Sequence, residues 1–219
     1  MKNINHKTLA EDLLLYAVTD RMWLGDRTLA EVVEVSLKGG ATFLQLREKA
    51  LSHEEFVKEA LELKAVAKKY GVPFVINDNI QVAKEIDADG IHIGQDDITL
   101  EEARRILGAD KIIGVSAKTV EQSMKAQEEG ADYLGIGAMF STTTKLDAYD
   151  ITKETLTDIC RAVTIPVVAI GGIHIGNVEK LQETGIAGVA VVSALYASGD
   201  IERAAQTLYQ KLESVIKRK

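Results

Sequence analysis

Eight times between Leu13 and the C-terminus, the sequence passes from a short apolar run to a longer stretch with helical spacing. The runs cover residues 13–19, 43–47, 74–77, 90–93, 111–116, 133–137, 167–170 and 188–192. They are too short for helices and rich in Val, Ile, Leu and Phe, so they read as buried parallel strands. The intervening stretches carry helix signals. Thr28 precedes Leu29, Val32, Val33 and Leu37, and Gly39-Gly40 closes that helix. Ser52 with Glu55, and Thr119 with Gln122, have the spacing of capping boxes, Thr99 and Asp200 stand at N-cap positions, and a further helix runs from Thr152 to about Ala162. Shorter helices are expected near 81–85 and 177–184, and a basic C-terminal end suits the last helix dipole. No linker or low-complexity stretch divides the 219 residues, so the expectation is one (β/α)8 TIM barrel over 1–219, with 1–12 a peripheral segment. An open doubly wound sheet would normally carry a glycine-rich turn after its first strand, and residues 19–23 (TDRMW) contain no glycine.

The second run is chemically unusual. Leu44 and Leu46 share one parity, whereas Gln45, Arg47 and Lys49 share the other. An ordinary half-buried strand gives the same alternation. Between two helices, however, the strand should be covered on both faces, and buried cations need an anion. The chain as a whole carries a net charge of −7, which disfavours general binding to nucleic acid or anionic membrane. Attraction of an anion must therefore be local.

In barrels of this class the site lies at the C-terminal ends of the strands. Those ends offer Arg47 and Lys49, Asn77 and Asp78, Asp96 and Asp97, Ser116, a loop with Thr142, Thr143, Thr144 and Lys145, then Gly171-Gly172 and Ser193. Gly171-Gly172 lets backbone N–H groups approach an anion, and Ser193 opens a helix, so the last two loops suit phosphate. Asp78 and Asp97 end adjacent strands, where two carboxylates repel unless a proton or cation lies between them. Mg²⁺ accepts such a pair and leaves its other positions to water and phosphate. Surface aspartates that cap the following helices are the plain alternative. Lys145 and its threonines could close over an anionic substrate.

Other chemistries find little support. The four histidines lack metal-ligand spacing, and His92 reads as a core histidine. Cys160, the lone cysteine, excludes an internal disulfide and reads as an inert core thiol. Neither a secretory signal nor a spanning run is visible, so a cytoplasmic location is expected.

Taken in order, residues 15–20 (LYAVTD), 45–49 (QLREK), 77–78 (ND), 92–97 (HIGQDD), 114–116 (GVS), 142–145 (TTTK), 169–173 (AIGGI) and 192–193 (VS) resemble the thiamine-phosphate synthase family. The resemblance implies a barrel that joins a pyrimidine diphosphate to a thiazole phosphate and releases pyrophosphate. It implies pyrimidine diphosphate contacts at Gln45, Arg47, Lys49 and Asn77, and Mg²⁺ ligands at Asp78 and Asp97. Ser116 and Lys145 resemble further substrate contacts. Thr142, Thr143, Thr144, Gly172, Val192 and Ser193 resemble the thiazole-phosphate side. The catalytic set so implied is Arg47, Lys49, Ser116 and Lys145. Partners would be the two small molecules, without nucleic acid or membrane, and a homo-oligomer is allowed. Two departures touch substrate fit and loop geometry: Lys118 stands where relatives often have histidine, and Ala138-Met139 replaces a small-Pro type of stretch. A related thiazole tautomerase on the same barrel, which relies on that histidine, is the nearest alternative. A non-catalytic phosphate-binding barrel is another.

Overall fold

A computed structural model of the chain describes residues 5–141 and 151–216. Eight parallel strands close into a barrel in sequence order: β1 Leu15–Val18, β2 Phe43–Leu46, β3 Phe74–Asn77, β4 Gly90–Ile93, β5 Ile112–Ala117, β6 Tyr133–Ile136, β7 Val167–Ile170 and β8 Gly188–Val191. Closure is set by β1, which pairs with β2 through Tyr16 and Phe43 and with β8 through Tyr16 and Ala190.

Alternation along each strand separates two cores. Tyr16, Phe43, Val75, Tyr133, Val168 and Ala190 fill the barrel interior. Leu44, Leu46, Ile76, Ile91, Leu134 and Val189 face outward and join the helices in a second, larger cluster. The interior is aromatic at its centre: Tyr16, Phe43 and Tyr133 meet edge to face, with ring centroids 4.6–6.0 Å apart. The first helix, α1 (His6–Asp12), buries Leu9 against this interior cluster.

The outer helices begin where the sequence says they should. Thr28 with Glu31 and Ser52 with Glu55 form complete capping boxes for α2 (Leu29–Lys38) and α3 (His53–Tyr70). After α4 (Ile80–Glu85) and α5 (Leu100–Leu107) comes α6 (Val120–Glu128), where the expected box is only half formed. Thr119 accepts from the Gln122 N–H, but the Gln122 carboxamide reaches past the cap to the Lys118 N–H at 2.8 Å. Beyond α7 (Lys153–Ala162), the helix expected over 177–184 is a 3-10 turn, Val178–Leu181. Its cap residue, Asn177, spends its carboxamide on the preceding loop, and Glu183 turns left-handed at φ 67°. Two last helices follow β8, α8 (Ser193–Tyr196) and α9 (Ile201–Val215). The basic end anticipated for α9 lies at 217–219, outside the described residues.

Candidate active site

The strand expected to carry Arg47 and Lys49 stops at Leu46. Parity holds to that point, because Gln45 is buried in the interior while its neighbours face the helices. Arg47 and Lys49 then stand on a rim turn, with side chains 29% and 53% exposed, and not inside a covered sheet. The reason is local bonding. The Arg47 N–H is captured by the buried Thr19 hydroxyl at 2.9 Å. Glu48, whose side chain is only 5% exposed, accepts the Lys49 and Ala50 N–H groups at 2.7 and 3.0 Å and curls the chain. Arg21 clamps Glu48 and also donates to Glu59 at 2.5 Å. Burial alone would raise the Glu48 carboxyl, but Arg21 and the two N–H groups outweigh it and hold it below its ordinary value. Burial wins at Glu59, which is raised despite Arg21. Neither cation lacks a counter-charge. Arg47 lies 3.5 Å from Asp20, and Lys49 donates to Asp78 at 2.6 Å.

Asp78 follows β3 in a left-handed conformation at φ 58°, uncommon outside glycine. Its N–H is fixed by the His92 carbonyl at 2.9 Å, and Asn77 donates to its Oδ1 at 2.8 Å. Its carboxyl is raised above the ordinary value, first by burial; Lys49 opposes the shift and the neighbouring Asp97 carboxylate adds to it. The two strand-end carboxylates thus come together as expected. Asp97 is itself oriented by the Gly94 N–H at 2.7 Å. Two hard oxygen donors whose charges strain against each other, with an ammonium already drawn to one, suit a divalent cation. Among the described residues no group of three or more His, Cys, Asp or Glu could hold a metal. Two carboxylates are a donor set that fits an ion keeping its other positions for water and phosphate, such as Mg²⁺.

Ser116, at the end of β5, belongs to a buried polar chain. Its hydroxyl meets His92 Nε2 at 2.9 Å, His92 Nδ1 meets the Tyr133 hydroxyl at 2.9 Å, and Tyr133 meets Tyr16 at 2.8 Å. Tyr16 in turn receives the Gln45 Nε2. His92 is therefore a satisfied interior histidine, as read from the sequence. Gln95 donates to the Ser116 carbonyl at 2.6 Å.

The β7 and β8 ends are built differently. Gly171 and Gly172 have φ of 97° and 63°. A Cβ on Gly172 would lie 2.5 Å from the Ser141 carbonyl, and one on Gly171 2.5 Å from the Ala138 Cβ. These glycines thus permit both the turn and its close packing against the chain leaving β6. The buried Asn177 braces this loop, accepting from the His174 N–H and donating to the Gly172 carbonyl, both at 2.8 Å. Ser193 is exposed at the start of α8, whose cap, Val192, makes no side-chain hydrogen bond. With only four residues, α8 can offer an anion its first N–H groups but no long dipole. Gly172, Val192 and Ser193 share this arc, separated from β2 by β1. Thr142, Thr143, Thr144 and Lys145 lie outside the described residues.

Sequence reasoning missed Asp20, Arg21, Glu48, Tyr16, Tyr133 and Asn177. For Tyr133 a trace existed: Gly114 interrupts β5, and a strand glycine marks close approach.

The profile of the family described as thiamine monophosphate synthase matches residues 15–195. A thiamine-phosphate synthase of Clostridium tetani is 49% identical over 197 residues, 90% of this chain and 94% of that one. Its counterpart from Ruminiclostridium cellulolyticum is 48% identical over 199 residues, 91% of this chain and 95% of that one. Among solved structures, a thiamine phosphate pyrophosphorylase from Pyrococcus furiosus superposes with a TM-score of 0.88 at 37% identity, covering 95% of this chain and all of that one.

Proposed function

The chain belongs to the thiamine monophosphate synthase family, and on that premise we propose how a transferase that forms thiamine phosphate and releases pyrophosphate is laid out on this rim. The substrates are a hydroxymethylpyrimidine diphosphate and a thiazole phosphate. One observation carries the layout: Arg47, Lys49, Asp78 and Asp97 gather on the β2–β4 arc, while glycine turns and an uncapped helix start occupy the β7–β8 arc.

Gln45 and Asn77 meet the pyrimidine half. Arg47 and Lys49 exchange their carboxylate partners for diphosphate oxygens and stabilise the negative charge that grows on departing pyrophosphate. Asp78 and Asp97 would hold Mg²⁺, which when bound supplies further neutralisation of that diphosphate. The aminopyrimidine supports a benzylic-type cation once the C–O bond breaks, so a strong general base is not needed. The backbone around Gly172, Val192 and Ser193 holds the thiazole phosphate, and the family resemblance gives Thr142, Thr143, Thr144 and Lys145 further substrate contacts. The thiazole nitrogen, held beside the cation, supplies the electron pair of the new C–N bond. Ser116 supplies a further substrate contact. Among the described residues no helix is long and apolar enough to cross a membrane.

The direct test incubates purified protein with both phosphorylated halves and Mg²⁺ and follows thiamine phosphate and pyrophosphate together. Equal amounts of both are expected. Pyrophosphate without thiamine phosphate, or neither product, would remove the assignment.

A further inference from the structure

The buried chain from Gln45 to Ser116 crosses the barrel from β2 to β5 through residues on β1, β6 and β4. Its direction follows from its ends. An amide nitrogen only donates, so Gln45 Nε2 gives its hydrogen to the Tyr16 oxygen. Each buried hydroxyl hydrogen then finds an acceptor when Tyr16 donates to Tyr133, and Tyr133 to His92 Nδ1. A neutral imidazole that accepts at Nδ1 carries its hydrogen on Nε2, which it donates to the Ser116 oxygen. The Ser116 hydrogen is left to point away from the chain. A charged His92 would offer hydrogens at both nitrogens and leave the buried Tyr133 hydrogen without an acceptor in the chain. With the Gln45 amide so oriented, this polarity alone gives every hydrogen between Gln45 and Ser116 an acceptor.

The fold makes room for this arrangement. A Cβ on Gly114 would lie 2.1 Å from the Tyr133 ring, and one on Gly135 3.0 Å from His92. Tyr16 and Tyr133 are fully buried and their hydroxyls are raised, chiefly by burial, so both stay protonated and able to donate.

We propose that Tyr16, Tyr133 and His92 are positioning residues that impose this polarity on the site. Gln45 then presents its carbonyl oxygen as an acceptor, and Ser116 presents its hydrogen as a donor. The inference rests on the function proposed above and adds a specificity rule to it. The heterocycle must bring a donor to Gln45, as the exocyclic amine of an aminopyrimidine does, while a carbonyl in that place meets oxygen against oxygen.

The test compares two non-hydrolysable pyrimidine diphosphonates, one 4-amino and one 4-oxo, as inhibitors of the full-length protein. Wild type should favour the amino compound by tenfold or more, since the swap exchanges a hydrogen bond for a repulsion. Tyr16→Phe keeps the ring but releases the Gln45 amide to flip, and the preference should fall by about tenfold, with the KM for thiazole phosphate little changed. His92→Gln, which can still accept at one end and donate at the other, should retain more of the preference than His92→Leu. A preference unaltered in both Tyr16→Phe and His92→Leu, whatever happens to their melting temperatures, makes the chain merely structural and overturns the proposal. Should Tyr16→Phe not fold, the two His92 variants decide alone. Wild type that forms no thiamine phosphate would instead remove the function on which the inference rests.

Discussion

The β2–β4 and β7–β8 arcs of the rim, which the proposed layout gives to two different anions, are built by different means. On the first, charged side chains already face one another: Lys49 on Asp78, Arg47 near Asp20, Arg21 on Glu48 and Glu59. On the second, positive-φ glycines and the start of a short helix supply backbone. The first must break ion pairs to bind a diphosphate, so it suits a group whose charge changes during reaction. The second is preorganised by packing and suits a phosphate that only needs holding. Charge-conserving but shape-changing substitutions should therefore injure the first arc in kcat, and added bulk or charge should injure the second in KM.

The largest effect should come from the carboxylates. Asp78→Ala or Asp97→Ala should lower Mg²⁺-dependent turnover on the order of a thousandfold, equivalent to several kcal/mol of charge stabilisation, with circular dichroism unchanged. Identical Mg²⁺ titration curves for both variants and wild type would sink the metal assignment. Next comes Arg47→Lys, which keeps the charge but loses the forked pair of donors. A fall in kcat of about ten- to a hundredfold is expected, with Arg47→Met lower still. Full activity in Arg47→Met would make Arg47 a partner for Asp20 and nothing more.

The opposite arc is probed by Ser193→Asp, whose carboxylate should raise the KM for thiazole phosphate by about tenfold and leave that for the diphosphate nearly unchanged. Gly172→Ala should act in the same direction, because its Cβ meets the Ser141 carbonyl at 2.5 Å. If the increase falls on the diphosphate instead, the two ends are exchanged. The smallest effect concerns the frame of the charged arc. Glu48 has a folded-state pKa below its ordinary 4.5, so its contribution is present above that value and lost as pH falls through the lower folded value. Glu48→Gln should cost about 1 kcal/mol near neutrality, and the difference from wild type should close in acid. A gap that persists unchanged into acid would mean that the Glu48 charge does not hold the turn.

The legible part of the site was the part written along single strands. Asp78, Asp97, Ser116 and Gly172 could be placed because each follows an apolar run, and the ends of parallel strands share one rim. Arg47 and Lys49 were placed on that rim but given the wrong surroundings. Alternation predicts facing only while the strand lasts, and Thr19 and Glu48 end it at Leu46. The 177–184 helix failed for a related reason: the Asn177 carboxamide serves the Gly172 loop and caps no helix N–H.

By itself, the sequence determined the eightfold alternation, the boundaries of most helices and the polarity of the rim. These are properties of neighbours in the chain, written as periods of two and 3.6 residues and as caps within one turn. The tertiary structure alone decided which charges pair and which hydroxyls join. Tyr16 meets Tyr133 across 117 positions, Arg21 reaches Glu48 and Glu59, and Lys49 finds Asp78. Such contacts exist only after β1 pairs with β8 and closure sets the register of all eight strands. No local pattern encodes that geometry, because the residues concerned become neighbours through the closed barrel and not along the chain.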